Sequence, residues 1–395
     1  MGVLGLGRGF TLMLPTLRLD PRVELVACAD PRAAAREMFA KEFGARAYTS
    51  AEEMCEDPNV EVVYVATPHQ FHSAHACLAA RKGKHLLIEK PMALAVHECL
   101  AMIAAAKKAG VQLIVGHSHS FDAPIRRARQ IIASGEVGKV RMINAFYYTD
   151  FLYRPRRPEE LVTREGGGVL FNQASHQIDV ACYLAGGMAE SVRAMTGAWD
   201  PQRPTEGAYT ATLAFESGAF ATLTYSGYGH FDSDEFRAWV GEGGQQKSPE
   251  GHGAARRTLA AATDAGQEAR MKSDANYGGD AYKPSERVPV HHAHFGEIII
   301  SCDRADLRPV PEGVMIHGDL ERRMEPVPLR DAPRAEVIDE LYSAVVDGHA
   351  PVHGGEWALA TIELCLAVLR SARTGKDVKL KNQIALDDRP ATRAN

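Results

Sequence analysis

The 395-residue sequence has little of what marks membrane-spanning, disulfide-rich or nucleic-acid-binding proteins. It contains no apolar run near the roughly 20 residues that a helix needs to span a bilayer, and no basic stretch followed by an apolar block at its N-terminus. The seven cysteines are scattered and form no CxxC pair, which favours a reducing compartment over a disulfide framework. A formal net charge of −5 argues against a nucleic-acid or anionic-membrane surface. We therefore expect a cytoplasmic protein that binds a small molecule.

Apolar residues make up 45% of the chain, and the length suggests about two domains. In the first 120 residues, aliphatic runs alternate with helix-forming stretches that end in Gly44 and Gly110, as in a parallel sheet with crossover helices. The runs are almost continuously apolar, as expected of strands buried on both faces. They are VELVACAD (23–30), VEVVYVATP (60–68), KHLLIEKP (84–91) and VQLIVGHS (111–118). We predict an α/β protein whose residues 1–120 form a doubly wound, Rossmann-type domain.

From residue 121 onward the pattern changes to that of an α+β domain, which we place at 121–380. Two alternating runs, GAYTATLAFES and GAFATLTYSGY, flank a Ser-Gly turn and predict an antiparallel hairpin. Residues 241–287 are polar, glycine-rich and too long for an ordinary connection, so we expect an inserted lid or inter-subunit arm. Residues 381–395 are expected to form a polar tail.

The stretch GLGRGF (5–10) has the form of a dinucleotide-binding turn with a displaced third glycine. Gly5 and Gly7 allow a tight turn and close approach to a pyrophosphate at the helix N-terminus. Gly9 lies one position before the expected third glycine, whose packing position is taken by Phe10. We predict cofactor contacts from residues 5, 7, 8, 9 and 10, including Arg8, although a chance run of glycines would look the same.

Asp30 ends the second strand 23 positions after Gly7, near the offset of the acid that binds the adenosine ribose. A carboxylate there repels a 2′-phosphate and favours NAD, whereas Arg32 could pair with that phosphate and keeps NADP open. The alternative interpretation is that Asp30 only caps the following helix.

Lys90, Asn172 and His176 are the candidates for proton transfer. Lys90 lies at the carboxyl end of a buried strand, where open α/β sheets bind ligands. Asn172 and His176 are four residues apart, hence on one face of a helix, and follow three glycines. Lysine and histidine can both accept the proton of a substrate hydroxyl. The alternatives are a lysine that only leaves the core for solvent and a structural histidine.

These residues together resemble the Gfo/Idh/MocA oxidoreductase family. The likeness rests on the glycine turn, ATPHQFH (66–72), EKP (89–91), the triple glycine with His176 and Asp179, and GGEWALATIELCLAVLRSARTG near the C-terminus. It implies a Rossmann domain, a second domain with a large, mostly antiparallel open sheet that forms homodimers or homotetramers, and hydride transfer with a nicotinamide. It also implies that Thr67, Pro68 and His72 line the nucleotide. By the same resemblance, Glu89 and Lys90 lie beside the nicotinamide, and Lys90 and His176 handle the hydroxyl.

Two departures point to a branch of that family. Asn172 stands where sugar and inositol dehydrogenases usually carry Asp, and His117 and His119 stand where Arg is common. With NQASHQID and FLYRPRRPEEL, this pattern is similar to the phthalate 4,5-cis-dihydrodiol dehydrogenase branch, which oxidises a carboxylated cyclic cis-diol to a catechol. The alternatives are a sugar, inositol or hydroxy-semialdehyde dehydrogenase, or a regulator that binds NAD without turnover.

A carboxylated substrate requires cations, and arginine pairs with carboxylate through two hydrogen bonds. Arg154, Arg156, Arg157 and Arg164 are concentrated just before the triple glycine, so we predict a clamp from Arg154 and Arg156, with His119 also contacting substrate. The alternative is a solvated loop with internal ion pairs. His292 and His294 alternate within HHAH, but no acidic or cysteine ligand completes a set, and we predict no metal site.

Overall fold

The computed structural model describes residues 1–284 and 289–387. The first domain contains a six-stranded sheet, all of whose pairs are parallel, in the order β3-β2-β1-β4-β5-β6. The strands are β1 (Gly2–Leu4), β2 (Ala27–Ala29), β3 (Arg46–Tyr48), β4 (Val62–Val65), β5 (His85–Ile88) and β6 (Leu113–Val115). The helices between them are α1 (Arg8–Leu19), α2 (Ala33–Phe43), α3 (Ala51–Glu56), α4 (His72–Arg81) and α5 (Val96–Ala109).

The sheet is buried on both faces, which explains its continuous apolar runs. Along β4, Val63 and Val65 enter one core and Tyr64 enters the other. Gly44 and Gly110 adopt left-handed conformations, with φ of 61° and 67°, directly after α2 and α5. The Rossmann-type fold expected for this half is confirmed.

The second domain contains a nine-stranded sheet in the order β14-β13-β12-β11-β7-β10-β9-β8-β15, antiparallel except for the β7–β10 pair. Its strands are β7 (Val140–Tyr148), β8 (Ala189–Gly197), β9 (Ala208–Phe215), β10 (Phe220–Ser226), β11 (Glu297–Cys302), β12 (Ala305–Val310), β13 (Gly313–Gly318), β14 (Arg322–Pro326) and β15 (Val378–Lys379). The β9–β10 hairpin predicted from the Ser-Gly turn is present.

Helices cover one face of this sheet and leave the other open. The helices of this part of the chain are α6 (Ala123–Ala133), α7 (Ser175–Ala185), α8 (Ala254–Ala260), α9 (Ala265–Asp274), α10 (Ala335–Val345) and α11 (Gly355–Thr374). Of these, α6, α7 and α11 pack on the sheet, and Leu223 and Tyr225 of β10 are buried on that side, whereas Phe220 is exposed on the opposite face. The mostly antiparallel open sheet implied by the family resemblance is confirmed.

Two C-terminal helices tie the domains together, beyond what the sequence predicted. Val337 and Leu341 of α10 pack in the first domain's core. On α11, Ile362 belongs to a first-domain core, whereas Leu364 and Val368 belong to the core of the second domain. The α11 helix is therefore shared by both domains.

Residues 254–284, which we term the strap, form most of the segment predicted as an insertion; residues 285–287 of that prediction lie outside the described residues. The strap is anchored on the second domain by Arg256, whose guanidinium donates to the carbonyls of Gly229 and Tyr228. It then crosses to the first domain of the same chain. There the Tyr277 ring packs edge-on against Phe10, with the centroids 5.1 Å apart.

The end of the chain differs from the predicted tail. The main-chain N–H of Leu386 donates to Gly186, and that of Met188 donates to Ile384. The segment to residue 387 is thus fixed to the second domain, and residues 388–395 lie outside the described residues. None of the helices in the described part of the chain has the length and apolar content of a membrane span.

Candidate active site

A cleft of about 1950 Å³ runs along the carboxyl ends of the parallel strands, between the two domains. Residues of the first domain, the second domain and the strap all line it. Open α/β sheets bind ligands at this edge. The cleft has two ends: the glycine turn and Asp30 form one, and Lys90 and His176 form the other.

The glycine turn leads directly from β1 into α1. Gly5 has φ of +89°, and a Cβ atom there would lie 2.8 Å from the carbonyl oxygen of Ala66, so only glycine fits. Gly7 is the N-cap of α1, faces open space and leaves the first N–H groups of the helix free for an anion. Gly9 packs on Glu89, whose Cγ would lie 2.9 Å from an added Cβ. The turn therefore forms a cradle that a dinucleotide fits.

The prediction that Phe10 contacts the cofactor is wrong, because its side chain is completely buried and does not line the cleft. Its predicted packing role agrees with the structure: Phe10 shares a buried cluster with Val3 of β1 and contacts Phe39 and Tyr277. Through Tyr277, Phe10 is also where the strap docks on the first domain.

Asp30 and Arg32 are held in one network at the cleft wall. The Asp30 carboxylate accepts from the N–H of Leu6 at 2.7 Å and from Nε of Arg32 at 3.0 Å. The Arg32 guanidinium also donates to the carbonyls of Leu6 and Tyr277. The guanidinium is thus bound by acceptors of this chain.

Thr67 and Pro68 line the cleft as predicted, but His72 does not. The ring nitrogens of His72 lie 2.9 Å and 2.8 Å from the carbonyl oxygens of Pro91 and Thr67, and the side chain is fully buried. His72 therefore connects the loop at Thr67 to the loop at Pro91 from the protein interior. This position corrects the expectation that His72 lines the nucleotide.

Glu89 and Lys90 follow β5 directly and reach the cleft. The Glu89 carboxylate accepts from the hydroxyl of Tyr64, and burial raises its pKa. Burial lowers the pKa of Lys90 to about 8, although the charges of Glu89 and Glu242 oppose the shift. Lys90 Nζ donates to the main-chain oxygen of Asn172 at 2.7 Å. The lysine is thus oriented and close to its neutral form at mild alkaline pH.

The helix predicted through Asn172 and His176 is interrupted. Residues Leu170–Ala174 form a π-helical turn, and α7 begins at Ser175. The Asn172 side-chain amide donates to the carbonyls of Gly166 and Gly168. Asn172 therefore meets Lys90 through its main chain rather than its side chain, which corrects the predicted catalytic role of the amide. Such π-turns are frequent at functional sites.

His176 is buried beside the cleft, with Nδ1 3.4 Å from the hydroxyl of Ser118. Burial, reinforced by the charges of Lys90 and His119, holds its pKa well below the usual range. The imidazole is therefore neutral and keeps a ring nitrogen that can accept a hydrogen bond from a substrate hydroxyl.

His119 and His117 converge on Asp122, a residue that no sequence pattern had indicated. Asp122 Oδ2 lies 2.6 Å from Nδ1 of His119, and Oδ1 lies 3.2 Å from Nε2 of His117. Burial disfavours charge on His119, but the carboxylates of Asp122 and Glu242 outweigh burial and raise its pKa to about 9. Burial and the charge of Arg334 lower that of His117 to about 3.

Glu242 is a second residue that sequence reasoning missed, because GEGG in a polar segment carries no recognisable pattern. Its Oε1 lies 3.5 Å from Nε2 of His119, and its side chain remains 32% exposed to the cleft. Burial opposes ionisation, but His119, Arg154 and Lys90 lower the pKa of Glu242 to about 2. Glu242 is therefore an ionised carboxylate that faces the cleft.

The four predicted arginines have different environments. Arg154 lines the cleft, is 45% exposed and bonds Asp150 through Nε. Arg156 also borders the cleft, but it is buried, lies 3.6 Å over the ring of Phe151 and donates to that residue's carbonyl. Arg157 pairs with Glu159 and Glu160, and Arg164 pairs with Glu165. The predicted clamp is therefore reduced to Arg154, because Arg156 is committed to the second domain's interior.

Two other arginines join Arg154. Arg8, the first residue of α1, and Arg334, the N-cap of α10, both line the cleft. Within residues 1–284 and 289–387, neither side chain has a hydrogen-bond or ion-pair partner. Burial, followed by the charges of Arg334 and Arg154, lowers the pKa of Arg8. The three guanidinium groups therefore form one cationic region.

His292 and His294, which alternate within HHAH, precede β11 and do not lie in a strand. Nε2 of His292 lies 2.9 Å from the carbonyl oxygen of Val327, and Nε2 of His294 lies 2.9 Å from that of Val240. Both rings fix loops to the second domain.

Comparison with known proteins agrees with this geometry. Residues 1–117 match the oxidoreductase family with an NAD-binding Rossmann fold, and residues 125–245 match the GFO/IDH/MocA C-terminal domain. The chain belongs to the Gfo/Idh/MocA oxidoreductase family. The predicted family, its Rossmann domain and NAD as the cofactor are confirmed.

Several relatives of this family are similar to the chain. A 1-carboxy-3-chloro-3,4-dihydroxycyclohexa-1,5-diene dehydrogenase of Comamonas testosteroni is 47% identical over 375 residues, which is 94% of each chain. A scyllo-inositol 2-dehydrogenase (NAD(+)) of Bacillus subtilis is 30% identical over 58% of this chain and 68% of its own. The crystal structure of a putative dehydrogenase from Bordetella bronchiseptica superposes with a TM-score of 0.90 at 43% identity, covering 96% of this chain and 99% of that one.

Proposed function

We propose that this dehydrogenase oxidises a carboxylated cyclic cis-diol at one of its carbinol carbons. The observation that carries the proposal is the combination of Lys90 and neutral His176 with the cationic region formed by Arg8, Arg154 and Arg334. Lys90 and His176 suit a hydroxyl group, and the three arginines suit a carboxylate. The similarity to the Comamonas enzyme, whose name describes a carboxylated dihydroxycyclohexadiene, supports the same substrate class.

The turn around Gly5, Gly7 and Gly9 would hold the pyrophosphate of NAD, because it combines close backbone approach with a free helix N-terminus. Asp30 would accept from the ribose hydroxyls, and Arg32 is engaged by Asp30 and two carbonyls rather than free for a 2′-phosphate. Thr67, Pro68 and Glu89 would line the remaining path to the nicotinamide. Bound NAD supplies the acceptor for the hydride.

Lys90 would accept the proton of the reacting hydroxyl. Its amine is aimed by the carbonyl of Asn172, and burial brings its pKa to about 8, within the range that suits a general base near neutral pH. His176 would hold the hydroxyl oxygen and offers a second acceptor nitrogen. Both groups lie at the same end of the cleft, so they meet one hydroxyl.

The cationic region would bind the carboxylate of the substrate. A carboxylate that pairs with a guanidinium forms short, charge-assisted hydrogen bonds that neutral substrates cannot replace. Arg154 would form the pair with least rearrangement, because it lines the cleft, is partly exposed and is held through Nε by Asp150. Arg8 and Arg334 add charge from the opposite domain.

A sugar or inositol dehydrogenase is the second candidate, supported by the Bacillus relative. The Asn172 amide, held by Gly166 and Gly168, weighs against it because it leaves no side-chain acid before His176. A regulator that binds NAD without turnover would have no need for the perturbed Lys90.

The test is NADH formation from NAD with a panel of carboxylated cyclohexadiene cis-diols, the same diols without carboxylate, inositols and aldoses. We expect turnover of the carboxylated diols with a kcat/KM at least 100-fold above that of the uncarboxylated ones. Preference for a polyol would overturn the substrate class. NAD binding without turnover of any compound would favour a regulator.

We further propose that the open sheet face pairs with a second copy of the chain and that the protein is cytoplasmic. Phe220, Ile299 and Met195 are exposed on three strands of this sheet, and the strand register places them on the same open face. Large apolar side chains exposed on one face are typical of an interface. The seven cysteines are unpaired, as in a reducing compartment. Light scattering of the Phe220→Asp/Ile299→Asp variant should give a smaller mass than the unmodified chain.

A further inference from the structure

The cleft holds a second acid-base group that oxidation of one hydroxyl does not use. Glu242 faces the cleft, while His119 and Asp122 behind it form a continuous chain of polar contacts at 3.5 Å and 2.6 Å. The ring of His119 lies against that of His176, with centroids 4.8 Å apart. The imidazole of His119 therefore lies between Glu242 and His176, the partner of Lys90 at this end of the cleft.

The two acceptor sites differ in charge. His176 is neutral, whereas Glu242 is a carboxylate, kept ionised by the protonated His119. The charges of Lys90 and Arg154 also lower the pKa of Glu242. Lys90 itself can be protonated or neutral near pH 8. The site thus contains Lys90, which can exchange a proton with a substrate oxygen, and Glu242, a separate carboxylate that is ionised at neutral pH.

The chemistry of the proposed substrate requires two bases. When one carbinol carbon has lost hydride and its hydroxyl proton has passed to Lys90, the ring is a ketone beside a second carbinol carbon that still carries hydrogen. Aromatisation requires that this hydrogen leave as a proton. The electron pair of the C–H bond then forms the ring double bond, and the carbonyl oxygen takes a proton.

We propose that Glu242 is a second general base, which removes the proton from the remaining carbinol carbon and makes aromatisation to the catechol an enzyme-catalysed step. The inference rests on the proposed function. Lys90 returns its proton to the carbonyl oxygen, and Glu242 releases the ring proton to water. The complete reaction therefore yields one catechol, one NADH and one proton. His119 and Asp122 are positioning residues that hold Glu242 ionised and aimed at the ring.

The experiment follows NADH and catechol absorbance separately in single turnovers of the holoenzyme with a carboxylated cyclohexadiene cis-diol. In the wild type, both signals should rise together. In Glu242→Gln, NADH formation should fall much less than catechol formation, which should lag by about 100-fold because a general base supplies 10²- to 10⁴-fold. Formate should shorten the lag, since a small carboxylate can replace the missing base. Deuterium on the second carbinol carbon should lengthen it.

Glu159→Gln provides the matched control. Glu159 also lines the cleft, but it pairs with Arg157 at the surface. Its variant should show the two signals rising together, as in the wild type.

His119→Gln tests the positioning role without touching the base. Loss of the imidazolium should raise the pKa of Glu242, so the rate of the catechol step should begin to fall at a higher pH than in the wild type. In this variant, the positive charges of Arg8, Lys90 and Arg154 still lower the pKa of Glu242 in part. Of the other groups that face Glu242, Tyr147 and Tyr225 stay neutral throughout, and His294, whose pKa burial lowers to about 3, is neutral above that pH.

The outcomes separate the two proposals. If the wild type forms no NADH from any carboxylated diol, the proposed function fails and this inference falls with it. If the wild type turns over but Glu242→Gln gives coincident signals, or if the wild type already shows the lag of the variant, aromatisation occurs without Glu242. An equal loss of both signals would make Glu242 a binding residue and also overturn the proposal.

Discussion

The two ends of the cleft differ in how their polar groups are satisfied. At the adenosine end, Asp30 and Arg32 are bound to each other and to main-chain groups of Leu6 and Tyr277. At the catalytic end, Arg334 has no hydrogen-bond or ion-pair partner in the described part of the chain, and neither has Arg8, which belongs to the glycine turn but whose side chain interacts electrostatically with Arg334, Arg154 and Glu242. Polar groups that are fully hydrogen-bonded within the protein form a rigid binding surface. Charged groups without a partner remain available to bind a charged ligand. The difference suggests that one end recognises a constant cofactor and that the other supplies the chemistry and the substrate choice.

The largest effect should come from Lys90→Met at the catalytic end. Because the variant lacks the proton acceptor, we expect kcat to fall by about 10⁴-fold, the upper range of general acid-base catalysis. NAD affinity, measured by fluorescence titration, should change little, since the adenosine end is untouched. A comparable loss of NAD affinity would show that the two ends are not separable.

Phe10→Gly tests the hydrophobic packing beneath the adenosine end of the cleft. Removal of a fully buried ring against Phe39 and Tyr277 should lower the free energy of unfolding by about 4 kcal/mol. NAD should still bind, because Phe10 does not line the cleft. Denaturant unfolding and NAD titration measure the two effects, with exposed Phe71→Ala as the control. Complete loss of NAD affinity would show that Phe10 does more than pack.

Arg154→Met should act mainly on substrate binding. The loss of a charge-assisted pair worth about 1.5–3 kcal/mol should raise KM for a carboxylated diol by about 10- to 100-fold and lower kcat much less. Arg157→Met, which removes an arginine already paired with Glu159 and Glu160, is the matched control. Equal effects of the two variants would argue against a carboxylate site at Arg154.

Asp30→Ala should weaken NAD binding by about tenfold, because the ribose hydroxyls lose one charged acceptor. It also frees Arg32 for a 2′-phosphate, so the preference for NAD over NADP should fall. Steady-state kinetics with both cofactors measure the ratio. An unchanged ratio would mean that Asp30 only organises the turn through Leu6.

The smallest effect concerns pH. Lys90 accepts a proton only when neutral, and its pKa is lowered to about 8, so kcat should rise about fivefold from pH 7 to 8 and then level off. Glu242 is ionised throughout this range and adds no inflection. A rate already constant from pH 6 upward would place the proton on a different group.

Local spacing predicted the adenosine end better than the catalytic end. Gly5, Gly7 and Asp30 lie at fixed distances along one β-α-β unit, so a sequence pattern records them. At the catalytic end, Glu242 and Arg334 lie 152 and 244 residues after Lys90 along the chain (242 − 90 and 334 − 90), and no local pattern records that convergence. The π-turn at Leu170–Ala174 is equally absent from any sequence pattern, because helical spacing assumes an uninterrupted α-helix.

The strap shows the same limit. Its composition indicated an excursion, but its docking depends on the Tyr277 ring meeting Phe10 and Phe39 across the sequence. Arg156 was misjudged for a related reason. A cationic run indicates only charge, whereas the ring of Phe151 and the interior of the second domain decide where the guanidinium lies.

The shared helix α11 has a consequence for cooperativity. A helix whose opposite sides complete the interiors of both domains cannot leave one without exposing the other. The chain should therefore melt in a single calorimetric transition despite its two sheets. By mass-action linkage, NAD bound at the first domain would then raise the melting temperature of the second as well.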